Sequence, residues 1–167
     1  MSSIERSRTF TWSDPLVTAS KGHAMSGLDF LLAIIAGDIA QPPIASALDF
    51  RLAEAATGYA AFSVIPAEYH YNPIGVVHGG LAATLLDSAM ACAVQSTVPA
   101  GKGYKTLEIK VNLVRAITLK TGPMRAEGNV IHSGTRVGTA EGRLVDTQGR
   151  LYAHGTTTCM IFDLPRD

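Results

Sequence analysis

The spacing of apolar residues near the N-terminus predicts one helix. Ser26 stands three residues before Asp29, as in a capping box, and an apolar stripe follows it. Gly37 is a plausible end, because glycine readily adopts the left-handed conformation that terminates helices. Residues 1–25 are polar and mixed, and we expect them to form an arm or an irregular cover. The Gln-Pro-Pro run at 41–43 breaks the helical pattern.

From residue 48 onward the pattern alternates between strands and one long helix. Segments 48–54 and 59–66 are predicted to pair as a hairpin through Thr57-Gly58. After a loop at 68–75, the apolar segment 78–98 is predicted to be a long helix. Four strand-like segments follow, at 105–115, 123–132, 136–146 and 150–162. This order indicates an α+β chain with an antiparallel sheet, divided into an N-terminal arm and helix (1–47) and a main domain (48–167).

The strand predicted at 105–115 alternates strictly between apolar and polar residues. Leu107, Ile109, Val111 and Leu113 occupy every second position. Because successive strand side chains point to opposite faces, we expect this apolar face to be buried and the other to be polar.

The strands near the C-terminus carry unusually small side chains on one face. Ala126 and Gly128 share one face of their strand, and Gly138, Ala140 and Gly142 share one face of the next. Ala153 and Gly155 are in phase on the last strand. Glycine weakens strands, so several on one face indicate close approach of another backbone. The simplest candidate is the long helix, lying in a sheet that curls around it; the alternative is that these glycines mark bulges or an edge.

The composition indicates a folded globular protein and argues against several classes of binding protein. Hydrophobic residues make up 47% and charged residues 17% of 167 residues, which suits one folded domain. The formal net charge is zero, so a broad nucleic-acid or acidic-membrane surface is not expected. Cys92 and Cys159 stand far apart and are interpreted as reduced, buried thiols of a cytoplasmic protein, with a single disulfide as the alternative. The histidines lack metal-ligand spacing. The longest early apolar run is too short to span a membrane.

The long helix carries a single charge. Asp87 is the only charged residue between positions 81 and 95, and a carboxylate in an apolar helix is costly unless it is paired. A helix that is apolar on all sides is expected to be buried on all sides. Asp87 is therefore either a catalytic base or a structural residue satisfied by a neighbouring hydroxyl or amide.

The helix opens with His78-Gly79-Gly80. Its uncovered N–H groups and its dipole favour negative charge, such as a thioester oxyanion, although the glycines could merely permit a tight turn. Gly79 and Asp87 lie eight residues apart, about 12 Å along the axis. If both act on one carbonyl, they come from two subunits whose helices run antiparallel across a twofold axis.

The segment from Asn72 to Asp87 resembles a known motif. Its N-x6-GG-x6-D pattern is similar to that of hotdog-fold acyl-CoA thioesterases of the PaaI-like (phenylacetyl-CoA thioesterase-like) subfamily. The resemblance covers about residues 48–163 and includes the stretches 104–111 and 133–136. It implies a sheet wrapped around a central helix, dimers that share one continuous sheet, and pairing of dimers into tetramers.

The resemblance also implies roles for individual residues. Gly79 donates its N–H to the thioester oxygen with help from Asn72, Asp87 of the other subunit activates water or attacks directly, and Thr106 helps to place the water. We predict that His78 and Gly80 are substrate-binding residues, and that His78 orients the glycine turn by hydrogen bonding rather than acting as a catalytic base. Ser133, Gly134 and Arg136 are expected along the CoA moiety, although a solvated turn arginine is an equal alternative for Arg136.

The function predicted on this basis is hydrolysis of a small or medium acyl-CoA, possibly aromatic, with no cofactor or metal beyond the CoA of the substrate. The predicted partners are acyl-CoA and further copies of the chain, not nucleic acid or membrane. Two alternatives stay open: an enoyl-CoA hydratase of the same fold, which would need His78, and a non-catalytic acyl-CoA-binding module. The role of the N-terminal arm and helix, as a cover for the acyl pocket or a pad between subunits, also stays open.

Overall fold

A computed structural model describes residues 4–165, so the outermost residues of the predicted arm and domain, 1–3 and 166–167, lie outside it. The elements in chain order are α1 (Pro15–Gly22), α2 (Gly27–Ala36), α3 (Pro43–Leu48), β1 (Phe50–Ala56), β2 (Tyr59–Val64), α4 (Gly79–Gln95), β3 (Lys102–Leu113), β4 (Met124–Ser133), β5 (Val137–Asp146) and β6 (Leu151–Asp163). Short 3-10 turns span Glu68–His70 and Leu119–Thr121. In this part of the chain, no helix is long and apolar enough to cross a membrane.

The strands form one antiparallel sheet in the order β1-β2-β4-β5-β6-β3. The predicted hairpin of β1 and β2 and the four later strands are all present, within a few residues of their predicted ends. The predicted α+β hotdog architecture is confirmed. Strand β3 forms one edge of the sheet and pairs only with β6.

The sheet curls around α4, as the small residues of the strands predict. A Cβ atom added to Gly128 would overlap the backbone carbonyl of Ala89 in α4, and one added to Gly142 would lie 2.7 Å from Met90 Cγ. Such distances are shorter than real side chains allow, so only glycine permits this approach. Gly155 is different, since its Cβ would meet the backbone carbonyl of Lys110 in the neighbouring strand.

The N-terminal region contains more helix than its sequence pattern indicates. Helix α2 matches the prediction: the Ser26 hydroxyl accepts a hydrogen bond from the Asp29 N–H, and Gly37 ends the helix with φ of 87°. The expectation of an irregular arm is wrong for α1, which Asp14 caps and Pro15 begins. None of the residues of α1 is buried. The helix therefore has no apolar stripe from which its sequence could predict it.

The run at 41–43, which ends the first helical pattern, also begins α3. Pro42 is the N-cap of α3 and Pro43 its first residue, where the missing N–H of proline would have no helical partner in any case. The same residues therefore break one helix and start another.

The apolar face of β3 is not buried within one chain, which contradicts the expectation from its alternation. Leu107, Ile109 and Leu113 are 56%, 39% and 57% exposed. A bulge between Thr106 and Glu108 shifts the register against β6. Because β3 is an edge strand, this chain covers only part of its inner face, and a row of apolar side chains is left uncovered.

Candidate functional site

Asp87 lies near the middle of α4 and meets β3 across a short gap. Its Oδ1 atom accepts a hydrogen bond of 3.0 Å from the Thr106 hydroxyl, which projects from β3 beside the bulge. The side chain is half-buried. The structure thus brings together two of the residues that the sequence analysis selected, although they stand 19 positions apart in the chain.

Within one chain, helix α4 is not buried on all sides, which differs from the expectation. One stripe of the helix stays partly exposed and runs from its N-terminus to its C-terminal end; its members include Thr84, Asp87, Ser88, Cys92 and Gln95. The sheet covers the opposite sides of the helix, where nine residues are buried. Asp87 therefore lies on the open stripe, where a ligand can reach it.

A cavity of about 410 Å³ opens beside this carboxylate. Its polar lining includes Asp87, Ser88 and Thr106, and its apolar lining includes Phe50 and Phe62. Sequence reasoning missed several other lining residues, namely Ser88, Tyr104 and Lys105. Tyr104 could have been found from Thr106, because side chains two residues apart on a strand point to the same face.

The N-terminus of α4 leaves one backbone donor free. The Gly80 N–H donates to His78 Nδ1 at 2.8 Å, and the Leu81 N–H donates to the His78 carbonyl at 3.0 Å. Among the described residues, nothing accepts a hydrogen bond from the Gly79 N–H. Of the two glycines, Gly79 is consequently the one whose N–H is available to a ligand at the positive end of the helix.

The loop before α4 is held by its own polar groups. Asn72 Oδ1 accepts from the N–H groups of Ile74 and Val76 at 3.1 and 3.2 Å, which leaves its amide nitrogen to donate elsewhere. The His78 N–H donates to the His70 carbonyl at 2.8 Å. His70 itself is buried, with Nε2 at 2.9 Å from the Leu48 carbonyl, and burial lowers its pKa. His70 Nδ1 also accepts a hydrogen bond from the Ala67 N–H at 3.0 Å, so His70 is a structural residue that supports the loop carrying His78.

The structure does not bring the β4–β5 hairpin to the start of α4. Ser133 Oγ lies 2.7 Å from Thr97 Oγ1, just beyond the C-terminal end of α4. From Gly79 to Gln95 the helix rises about 24 Å. Gly134 and Arg136 belong to the same hairpin, and Arg136 is exposed. Within one chain these residues lie at the end of α4 opposite Gly79.

The cysteines do not supply a nucleophile. Both are free, and burial raises the pKa of the Cys92 thiol to about 12 and raises that of Cys159 as well. Thiols with raised pKa values remain protonated and unreactive near neutral pH. In residues 4–165, no group of three or more His, Cys, Asp or Glu side chains is placed to hold a metal ion.

The central part of the chain matches a known family. Residues 74–153 match the family model of the thioesterase superfamily. A protein of Halobacterium salinarum, named provisionally as an esterase, is 38% identical over 69 residues, which cover 40% of this chain. The match spans 44% of that relative, so this chain aligns with less than half of its length.

Solved structures extend the similarity over most of the chain. A protein of Ralstonia eutropha related to phenylacetic acid degradation, named provisionally as a thioesterase, has a TM-score of 0.70 and 25% identity, covering 78% of this chain and 98% of that one. A variant of the phenylacetic acid degradation protein PaaI from Thermus thermophilus has a TM-score of 0.64 and 25% identity, covering 71% and 98%. A Haemophilus influenzae thioesterase shares the fold at 18% identity, with a TM-score of 0.71 and coverage of 83% and 92%.

Proposed function

We propose that this chain, whose residues 74–153 match the thioesterase superfamily in agreement with its motif, hydrolyses the thioester bond of an acyl-CoA. One observation carries the proposal: the only acidic side chain of α4 lies at a cavity, half-buried, with its Oδ1 bonded to the Thr106 hydroxyl. Among the described residues, none donates a hydrogen bond to Oδ2 of Asp87, and the side chain lines the cavity. The family and the PaaI-like neighbours support the chemistry.

Two routes to the products start from this carboxylate. In the first, Asp87 accepts a proton from water while the water oxygen bonds to the thioester carbon; the C–S bond then breaks and the thiolate of CoA takes up a proton. In the second, an Asp87 oxygen itself bonds to that carbon, the C–S bond breaks, and CoA leaves as the thiolate, which takes up a proton from water; a further water then hydrolyses the resulting anhydride. Both yield the free acid and CoA, and neither needs a cofactor. Heavy oxygen from water, if found in the Asp87 carboxylate after turnover, would identify the second route.

The thioester oxygen gains negative charge on either route and needs donors. The Gly79 N–H is free, stands at the positive end of α4, and is suited to this task. The amide nitrogen of Asn72 can assist it. The Gly80 N–H is engaged by His78 Nδ1, so we assign to Gly80 and His78 the task of fixing the turn.

Gly79 and Asp87 of one chain cannot serve the same carbonyl, because about 12 Å separates them along the helix. We therefore propose a homodimer in which the Gly79 of one subunit faces the Asp87 of the other. The apolar row on β3 supports this, since exposed apolar edge strands are covered in stable proteins. Association of two dimers into a tetramer, a cytoplasmic location and a CoA contact by Ser133, Gly134 and Arg136 remain parts of the prediction.

Release of thiol from a panel of acyl-CoA thioesters tests the proposal. We expect Asp87→Ala to lower kcat by about a thousandfold or more, because it removes the proposed base or nucleophile. The control is Asp38→Ala, which removes an exposed aspartate between α2 and α3 and should leave kcat unchanged.

The same assay separates this function from its alternatives. Thiol release that persists in folded Asp87→Ala would refute the mechanism. Hydration of crotonyl-CoA without thiol release would indicate the hydratase, and tight binding of every thioester without turnover would indicate a binding module.

A further inference from the structure

We propose that the N-terminal extension, residues 15–48, forms the far wall of the acyl pocket, so that it selects aryl and medium-chain acyl groups. This inference rests on the proposed function. The extension lies outside the stretch of chain that matches the family model, residues 74–153. The specificity of this enzyme would then be encoded by a segment that the family match does not include.

A second cavity supports this inference. It has a volume of about 240 Å³ and lies between the extension and the main domain; we call it the extension cavity. The extension contributes Ile34, Ala40 and Pro42 to its lining, and the main domain contributes Phe62, Cys92 and Tyr104. None of these lining residues carries a charged side chain, which suits an uncharged acyl group.

The extension cavity adjoins the cavity beside Asp87. The two share four lining residues, namely Pro42, Phe62, Cys92 and Tyr104. The direction from Asp87 to Gln95 follows α4 for eight residues, or about 12 Å. An acyl group whose carbonyl lies at Asp87 can therefore extend along α4 beneath α2.

The extension is fixed in place at its contact with α4. The Gly27 N–H donates to the Val98 carbonyl at 2.8 Å, and a Cβ at Gly27 would overlap the Gln95 carbonyl. Leu31 is 1% exposed and Ile34 is 8% exposed, and both belong to the main core. A wall held this firmly sets the size of a ligand rather than yielding to it.

The volume of the extension cavity bounds the ligand. An apolar cavity of about 150 Å³ holds benzene. The extension cavity, at about 240 Å³, therefore has room for one aromatic ring with a short linker, or for a medium aliphatic chain. A short acyl group such as acetyl would leave it unfilled, and a long fatty chain would exceed it.

Two substitutions that reduce the cavity test the inference. Ile34→Phe adds bulk from α2. Ala40→Leu adds bulk from the segment after α2, where the larger side chain does not disturb the packing within a helix. The matched control is Ile35→Phe, the same change on the exposed face of the same helix. The measurement is kcat/KM for acetyl-, octanoyl- and phenylacetyl-CoA.

We expect wild-type protein to prefer octanoyl- or phenylacetyl-CoA to acetyl-CoA. Both cavity variants should lose roughly tenfold or more in kcat/KM on the larger substrates, since one methylene in such a pocket is worth about 10- to 200-fold. Their kcat/KM on acetyl-CoA and all values for Ile35→Phe should stay within about twofold of wild type. Equal losses on all three substrates, or a wild-type preference for acetyl-CoA, would overturn the inference.

Binding of uncleavable thioethers separates this inference from the proposed function. If no thioester is cleaved, the proposed function fails, and calorimetry with S-octyl-CoA and S-ethyl-CoA still tests the cavity. Tighter binding of the octyl compound that Ile34→Phe and Ala40→Leu abolish, and Ile35→Phe does not, would support the cavity. Equal affinity for the two compounds in wild-type protein would refute it.

Discussion

Replacing Thr106 by Val removes a hydrogen bond from the proposed catalytic carboxylate, together with a weaker contact of the same hydroxyl with the Cys159 thiol. Valine has nearly the same shape as threonine and keeps the β-branch that suits a strand. The substitution deletes the hydroxyl that donates to Asp87 Oδ1 at 3.0 Å. The carboxylate is then free to rotate away from the orientation that this hydrogen bond holds.

The size of the effect follows from the kind of hydrogen bond. A hydrogen bond to a charged group contributes roughly 1.5–3 kcal/mol. If the transition state depends on the held orientation, kcat should fall roughly 10- to 150-fold, since about 1.4 kcal/mol corresponds to a factor of ten. The effect on KM should be small, because the Thr106 hydroxyl acts on the orientation of the Asp87 carboxylate and not on the affinity for the substrate.

Steady-state thiol release gives kcat and KM for wild type, Thr106→Val and Thr106→Ser. Serine restores the hydroxyl and should recover kcat to within a few-fold of wild type. Thr156→Val makes the same substitution at an exposed position of β6 and should change neither constant. A folded Thr106→Val protein whose kcat lies within twofold of wild type would refute the role that we assign to this contact.

Three further predictions concern the fold, its response to pH and its assembly. Gly128→Ala should lower the free energy of unfolding in urea by about 1–3 kcal/mol, because the added Cβ overlaps the Ala89 carbonyl; an unchanged midpoint would contradict the close approach of helix and sheet. Because burial lowers the pKa of His70, the unfolded chain binds a proton below pH about 6.5 before the folded chain does, so stability should fall as the pH is lowered from 7 to 5. This loss should shrink in His70→Gln, and an equal slope in the two proteins would be the contrary result. Leu107→Asp should yield monomers in sedimentation experiments, whereas Ile131→Asp, a similarly exposed position on β4, should not; a Leu107→Asp protein that still dimerises would argue against β3 as the interface.

Much of the fold could be predicted from local patterns that tertiary packing does not override. The capping serine and the terminal glycine define α2 because both act on the backbone of their own helix. The small residues of β4 and β5 predict the position of α4, since only glycine and alanine allow a helix so close to a sheet. Helix α1 escaped prediction because its turns are held by its cap and by exposed residues, without an apolar stripe.

The sequence predicts the parts of the candidate site that depend on a single residue type. It does not predict the parts that depend on how strands and helices pack around that residue. Asp87 was recognisable because a single charged residue in an apolar helix is energetically costly unless it is paired. Its exposure was not, since the sequence does not say which side of α4 the sheet leaves open. The exposed face of β3 shows the same limit: alternation predicts an apolar face, and only the strand order shows that one chain cannot cover it.

The central claim is that each active site combines Gly79 of one subunit with Asp87 of the other, and a mixed dimer tests it most directly. Gly79→Pro removes the free N–H. Proline is favoured at the first position of a helix, and His78 before it has φ of −62° and ψ of 132°, which proline accepts. Gly79→Ala, which keeps the N–H, is the control for the added bulk.

The decisive measurement is thiol release by a purified dimer of one Asp87→Ala subunit and one Gly79→Pro subunit, each inactive alone. One of its two sites would contain both an intact Gly79 and an intact Asp87, so we predict about half of the wild-type activity per dimer. A mixed dimer as inactive as its parents would contradict the account.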